Sequence, residues 1–129
     1  MSTDAVRGFG QRLRFAYRDD DAVRGNQRLT EQQARDQGLD ARVVSYGTGD
    51  VPGAYTLGEG VSGTSQLVVD QRRRVVVGAT FTGPGMQELL HSATIAIAGE
   101  VSLDRLWHAV PAFPTVSEVW LHLLEAYGL

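Results

Sequence analysis

Two apolar runs, Ser65 to Asp70 and Arg74 to Thr82, flank a turn made of Arg72, Arg73 and Arg74. β-branched residues bounded by a charged turn predict an antiparallel hairpin. Everything after it changes period. Pro84 stands where a helix begins, and Met86, Leu89, Leu90, Ala93 and Ile97 recur at helical spacing as far as Gly99. Ser102 caps a shorter helix carrying Leu103, Leu106 and Trp107, and Pro111 breaks it. Thr115 opens a last helix with Val116, Val119, Trp120, Leu123, Leu124 and Tyr127 on one stripe and Gly128 as its stop. Strands first and helices afterwards predict an α+β fold, an antiparallel sheet of three to five strands packed against helices on one face.

The first half is consistent with that plan. Leu13, Phe15 and Tyr17 alternate with arginines at the period of a half-buried strand. Thr30 and Gln33 have capping-box spacing, which predicts a short helix over Glu31 to Gln37 stopped by Gly38. Arg42 to Tyr46 reads as a strand. The Gly/Pro-rich stretch from Gly47 to Gly63 reads as a loop with an edge segment near Ala54, Tyr55 and Thr56. The pentapeptide DAVRG occurs at Asp4 to Gly8 and again at Asp21 to Gly25, too short without matching flanks to make a structural repeat. At 129 residues one core is expected, with 1–28 a divergent segment supplying one strand and 29–129 the main α+β domain.

Composition excludes several chemistries. The 129 residues contain no cysteine, which removes disulphides, thiolate metal sites and a redox-active cysteine pair. All 12 basic residues are arginine, so Schiff-base catalysis and a P-loop, which need a lysine amine, are also excluded. A net charge of −3 argues against nucleic acid as a partner. The arginine triplet reads as a solvated turn. No apolar run approaches the roughly 18 residues of a membrane helix, and MSTDAVRGFG has no signal-peptide core, so a cytoplasmic protein is expected. The polar start MSTD reads as the beginning of an independent protein.

Three segments carry a resemblance: GATFTGPG from Gly78 to Gly85, the following MQELLHSATIAIAGE, and AFPTVSEVW from Ala112 to Trp120. Together they resemble the C-terminal dimerisation, or interface, domain of the pyridine nucleotide-disulphide oxidoreductases, the flavoenzyme family of dihydrolipoamide dehydrogenase, glutathione reductase and mercuric reductase. The match runs from about Leu29 to the end. In that family a His-Pro-Thr-x-x-Glu motif reaches across the dimer as an acid/base pair at the other subunit's flavin. Here Phe113 occupies the histidine's place, and Glu118 that of the glutamate. The resemblance thus implies the fold and the pairing surface without the inherited proton transfer, and with no cofactor held by this chain.

Each candidate site residue has a structural reading beside a functional one. Gly58 to Gly63 matches GxGxxG, but a strand follows it where a dinucleotide site needs a helix, so no cofactor-binding residue is assigned. Glu118 can orient a catalytic imidazole only if one is present, and Thr115 to Glu118 is also a capping box. Glu88 and His91 share a helical face as an ExxH pair; two ligands are too few for a metal, so none is assigned, and His91 with Glu88 becomes the first choice of acid/base pair. His108 is a further candidate. His122 reads as a packing residue. Phe113, Trp107, Trp120, Tyr127 and Leu90 are expected at a pocket or an interface, because the last helices are more apolar than a small two-layer domain needs.

Two functions follow. The first is a homodimeric pairing module without redox activity of its own, which a partner protein carrying a flavin domain could join. The second is a cofactor-free enzyme or binder, an isomerase, cyclase or dehydratase that takes an apolar small molecule in a pocket at the dimer seam. Pairing through the long and terminal helices is expected to bury on the order of 2,000 Å² in total.

Overall fold

The computed structural model describes residues 13–17, 23–57, 60, 62–83 and 86–129. A five-stranded antiparallel sheet, in the order β1-β2-β5-β4-β3, forms its frame. The strands are β1 (Leu13–Tyr17), β2 (Val23–Arg28), β3 (Ala41–Gly47), β4 (Thr64–Asp70) and β5 (Val75–Gly83). Among the described residues four helices join them: α1 (Glu31–Asp36), α2 (Met86–Ala98), α3 (Leu103–His108) and α4 (Val119–Tyr127). The α+β architecture is the one expected. β2, for which VRGNQR carries no alternating pattern, pairs with both β1 and β5 and ties the N-terminal hairpin to the sheet.

Alternation along the central strands sorts side chains onto two faces. Val44, Leu67, Val69, Val76, Ala79 and Phe81 point to the larger core, where they meet Leu89, Leu90, Ala93 and Ile97 of α2, Leu103 of α3, and Val119, Trp120, Leu123 and Leu124 of α4. Phe81, Leu67 and Leu123 are fully buried there. The opposite face carries Val68, Val75 and Val77 under Leu29 and Ala34. So α2, α3 and α4 cover one face as anticipated, and the short α1 sits on the other.

A bulge between Val68 and Val69 shifts the register against β5, where Val68 pairs with Gly78 and Val69 with Val76. Val77 is the extra residue, and its carbonyl accepts a hydrogen bond from Leu29 N–H at 3.1 Å. The backbone of Leu29 crosses so closely that a Cβ on Gly78 would lie 1.8 Å from the Leu29 carbonyl oxygen. Only glycine fits that crossing.

The caps follow the sequence. Thr30 and Gln33 close a capping box on α1, with Gln33 N–H donating to Thr30 Oγ1 at 3.2 Å and Thr30 N–H to Gln33 Oε1 at 3.0 Å. Ser102 Oγ accepts from Arg105 N–H at the start of α3. The segment Pro52–Leu57 is a correction to the expected edge strand: it is a 3-10 turn. Val51 and Ala54 belong to the main core, and the Ala54 N–H bonds back to the Val51 carbonyl, so the segment folds inward and cannot extend along an edge. Pro84, Gly58, Glu59, Val61 and the first DAVRG lie outside the described residues.

The arginine turn has a structural role. Arg73 pairs with Glu100 at 2.6 Å and Arg74 with Asp104 at 3.0 Å, which links the β4–β5 hairpin to the connection between α2 and α3. Leu103 N–H also donates to the Arg74 carbonyl at 2.8 Å. Hydrogen bonding to Glu100, reinforced by its charge, raises the Arg73 pKa above its ordinary value, and Asp104 does the same for Arg74. Among the described residues no helix is long and apolar enough to cross a membrane.

Candidate functional site

The helix-covered face holds a cavity of about 360 Å³ between α2, α3, α4 and the chain that joins α3 to α4. Ile95 and Ala96 of α2, Val101 before α3, Leu106 of α3, Ala109 and Pro111 after it, and Trp120 of α4 line it. Helical spacing puts Ser92, Ile95 and Ala96 on the same stripe of α2, which is why one helix supplies a whole side. Ser92 and Ser117 provide the only hydroxyls among the lining residues. The Ser92 hydroxyl is already occupied: it donates to the Leu89 carbonyl at 2.6 Å and accepts from Trp120 Nε1 at 2.9 Å. That bond lets the indole lie against an apolar lining with its polar atom satisfied.

Three large apolar side chains are exposed among the described residues: Ile95, which lines the cavity, Val110, which lies between two lining residues in sequence, and Phe113. Ile95 is 57% exposed, Val110 75% and Phe113 76%. The segment that presents Phe113 is held from three directions. Thr115 Oγ1 donates to the Ala112 carbonyl at 2.6 Å, Thr115 N–H donates to Glu118 Oε2 at 3.1 Å, and Gly53 lies against the Thr115 backbone, where a Cβ would come within 1.9 Å. The Phe113–Pro114 peptide is cis. Glu118 thus works as part of a capping box for the 3-10 turn Val116–Glu118 that leads into α4.

The acid/base candidates do not converge. Glu88 and His91 are exposed on α2, and no hydrogen bond or ion pair joins any two of Glu88, His91, His108 and Glu118 among the described residues. None of the four lines the cavity. His108 sits at the end of α3 in a shallow polar groove with Asp104, Arg105 and Ala109. His122 stacks on Tyr46 at 4.6 Å between ring centroids and 11° between planes, with Nδ1 3.6 Å from Glu125. No group of three or more His, Cys, Asp or Glu is placed to hold a metal among the described residues.

The aromatic candidates divide by role. Trp120 lines the cavity; Leu90 is 1% exposed and belongs to the core; Trp107 and Tyr127 pack against that core from its edge. The Arg42 guanidinium lies 4.6 Å from the Tyr127 ring centroid and that of Arg74 5.8 Å, so this tyrosine joins β3, the arginine turn and α4. Sequence reasoning missed Ile95 and Val110 as surface residues. Their signal was the apolar breadth of α2 and a valine beside Pro111 in a connecting segment, and neither distinguishes core from surface without the fold.

Residues 29–124 match the family described as pyridine nucleotide-disulphide oxidoreductase, dimerisation domain. Curated relatives include dihydrolipoyl dehydrogenase of Chlamydia pneumoniae, 32% identical over 92 residues, which are 71% of this chain and 20% of the relative. The Rhizobium etli enzyme of the same name is 32% identical over 101 residues, 78% of this chain and 21% of the relative. The chain therefore spans about a fifth of the length of the curated relatives it matches. Among solved structures, LpdA from Mycobacterium tuberculosis superposes with a TM-score of 0.76 at 12% identity, covering 91% of this chain and 25% of that one. The HOCl-induced flavoprotein disulfide reductase RclA from Escherichia coli gives 0.73 at 21% identity, over 80% of this chain and 23% of its own. These last two likenesses establish the fold.

Proposed function

Because the chain belongs to the pyridine nucleotide-disulphide oxidoreductase dimerisation family, we propose that it is a pairing module that forms a homodimer through the face of α2, α3 and α4. The observations that carry this reading are the apolar cavity on that face and the exposure of Ile95, which lines it, and of Val110 and Phe113 in the segment that joins α3 to α4. Large apolar side chains exposed beside an apolar cavity mark a surface that another protein covers. Obligate homodimers bury such surface in a two-fold contact, where the same patch serves both copies.

The module performs no redox chemistry with its own residues. Its 129 residues include no cysteine, Phe113 stands where the resemblance implies a histidine, and the Glu118 carboxylate is engaged by the Thr115 amide. Any flavin or nicotinamide chemistry comes from residues outside these 129. Such a domain contributes geometry: it fixes the distance and orientation of whatever it is joined to.

Light scattering coupled to size-exclusion chromatography at micromolar concentration tests the pairing, and the visible spectrum of the same fraction tests the absence of flavin. A dimer without flavin absorbance supports the reading. A monomer, or a stoichiometric flavin band, counts against it.

A further inference from the structure

We infer that the apolar cavity is a binding site for an uncharged one- or two-ring organic molecule carrying a single hydroxyl or carbonyl group, which the Ser117 hydroxyl holds. This goes beyond the pairing reading and does not rest on it, because the lining comes from separate segments of a single chain: α2, the connection after it, α3 and its exit, and the turn into α4. At about 360 Å³ the cavity is more than twice the roughly 150 Å³ of an apolar cavity that accepts benzene. A bicyclic molecule fits it.

The lining sets the chemistry of the occupant. Ile95, Val101 and Leu106 offer only apolar contact, and none of the lining side chains is charged. A carboxylate or ammonium entering there would lose its water with no opposite charge to meet it. Trp120 adds aromatic surface, and its indole N–H is satisfied within the chain by Ser92 Oγ at 2.9 Å, so it asks nothing of a ligand. Ser92 donates in turn to the Leu89 carbonyl, which leaves Ser117 as the free polar side chain of the lining. It is half-buried in the 3-10 turn Val116–Glu118, and its hydroxyl bonds to no other described residue. One unsatisfied hydroxyl in an otherwise apolar lining is the sparse polar handle with which small-molecule sites orient a ligand. The capping box between Thr115 and Glu118 fixes the turn that carries it.

The test uses probes of one shape, 5-indanol, indane and indane-5-carboxylate, each titrated into the whole chain by calorimetry and by proton–nitrogen NMR. Of the two tryptophans, Trp120 lines the cavity and Trp107 does not, so their indole N–H signals report where a probe sits. 5-Indanol is expected to saturate at one molecule per chain and to move the Trp120 signal more than that of Trp107. Indane-5-carboxylate is expected to bind at least about a hundredfold more weakly, because its charge finds no partner. Ser117→Ala, checked as folded by circular dichroism, is expected to weaken 5-indanol about fivefold, the scale of one hydrogen bond, and to leave indane within about twofold. If that variant fails to fold, the carboxylate comparison and the Trp120 signal decide the matter on wild type alone. Absence of saturable 5-indanol binding, equal binding of the carboxylate, or movement of the Trp107 signal with that of Trp120 unmoved overturns the site. A folded Ser117→Ala that binds 5-indanol as tightly as wild type overturns the role of the hydroxyl. The solution mass tests pairing separately, so either reading can fail without the other.

Discussion

Glu118 accepts a hydrogen bond from the Thr115 amide at 3.1 Å, at the point where the exposed segment carrying Phe113 turns into α4. Its value is therefore that of a cap, and glutamine can make the same reach. Glu118→Ala is predicted to cost about 1 kcal/mol in urea unfolding, and Glu118→Gln only a few tenths. Equal losses for the two would assign the effect to charge at the helix start instead of the hydrogen bond. Gly53 acts on the same segment from outside. A Cβ there would meet the Thr115 carbonyl carbon at 1.9 Å, so Gly53→Ala must push Thr115 away, at roughly 1–3 kcal/mol for an overpacked contact. Loss of dimer affinity is expected with it, since the displaced segment holds Phe113.

At the scale of elements, α4 closes the sheet over β3 and β4 through Val119, Leu123 and Leu124, while α2 packs on β5 and β2. Leu123 is 0% exposed, and Leu123→Ala is predicted to cost roughly 2–5 kcal/mol, measured as a lower denaturant midpoint with unchanged slope. Gly78→Ala is predicted to be severe for another reason, the 1.8 Å approach of Leu29, and its melting temperature should fall further than that of a glycine replacement at an open site such as Gly38. The elements legible in the sequence were those with an uninterrupted period or an explicit cap: β4, β5, α1 with Thr30 and Gln33, α3 with Ser102, and α4 with its stripe. β2 was not legible, because its pairing with β1 and β5 comes from backbone hydrogen bonds that VRGNQR does not advertise. The inward 3-10 turn at Pro52–Leu57 was missed because burial of Val51 and Ala54 in the main core is a tertiary event. Of the site, the capping role of Glu118 was readable from spacing alone. The cavity was not, since Ile95, Leu106, Ala109 and Trp120 come from separate elements.

At the scale of the whole molecule, the sheet has helices on both faces, and among the described residues the exposed large apolar side chains are Ile95 on α2 and Val110 and Phe113 in the segment that joins α3 to α4. The pairing proposed above would use the α2, α3 and α4 face and leave the α1 face free. The arginine turn secures the hairpin to the α2–α3 connection through Glu100 and Asp104; both pairs are exposed and contribute little individually, so the hairpin's anchorage rests more on the Leu103 amide and the core beneath it. Pairing through the Phe113 face is tested most directly by the solution mass of wild type and of Phe113→Asp, measured by light scattering at the same micromolar concentration. Twice the 14.0 kDa chain mass is predicted for wild type and the single-chain mass for the folded variant. A monomeric wild type, or a variant that remains fully dimeric, would contradict pairing through this face.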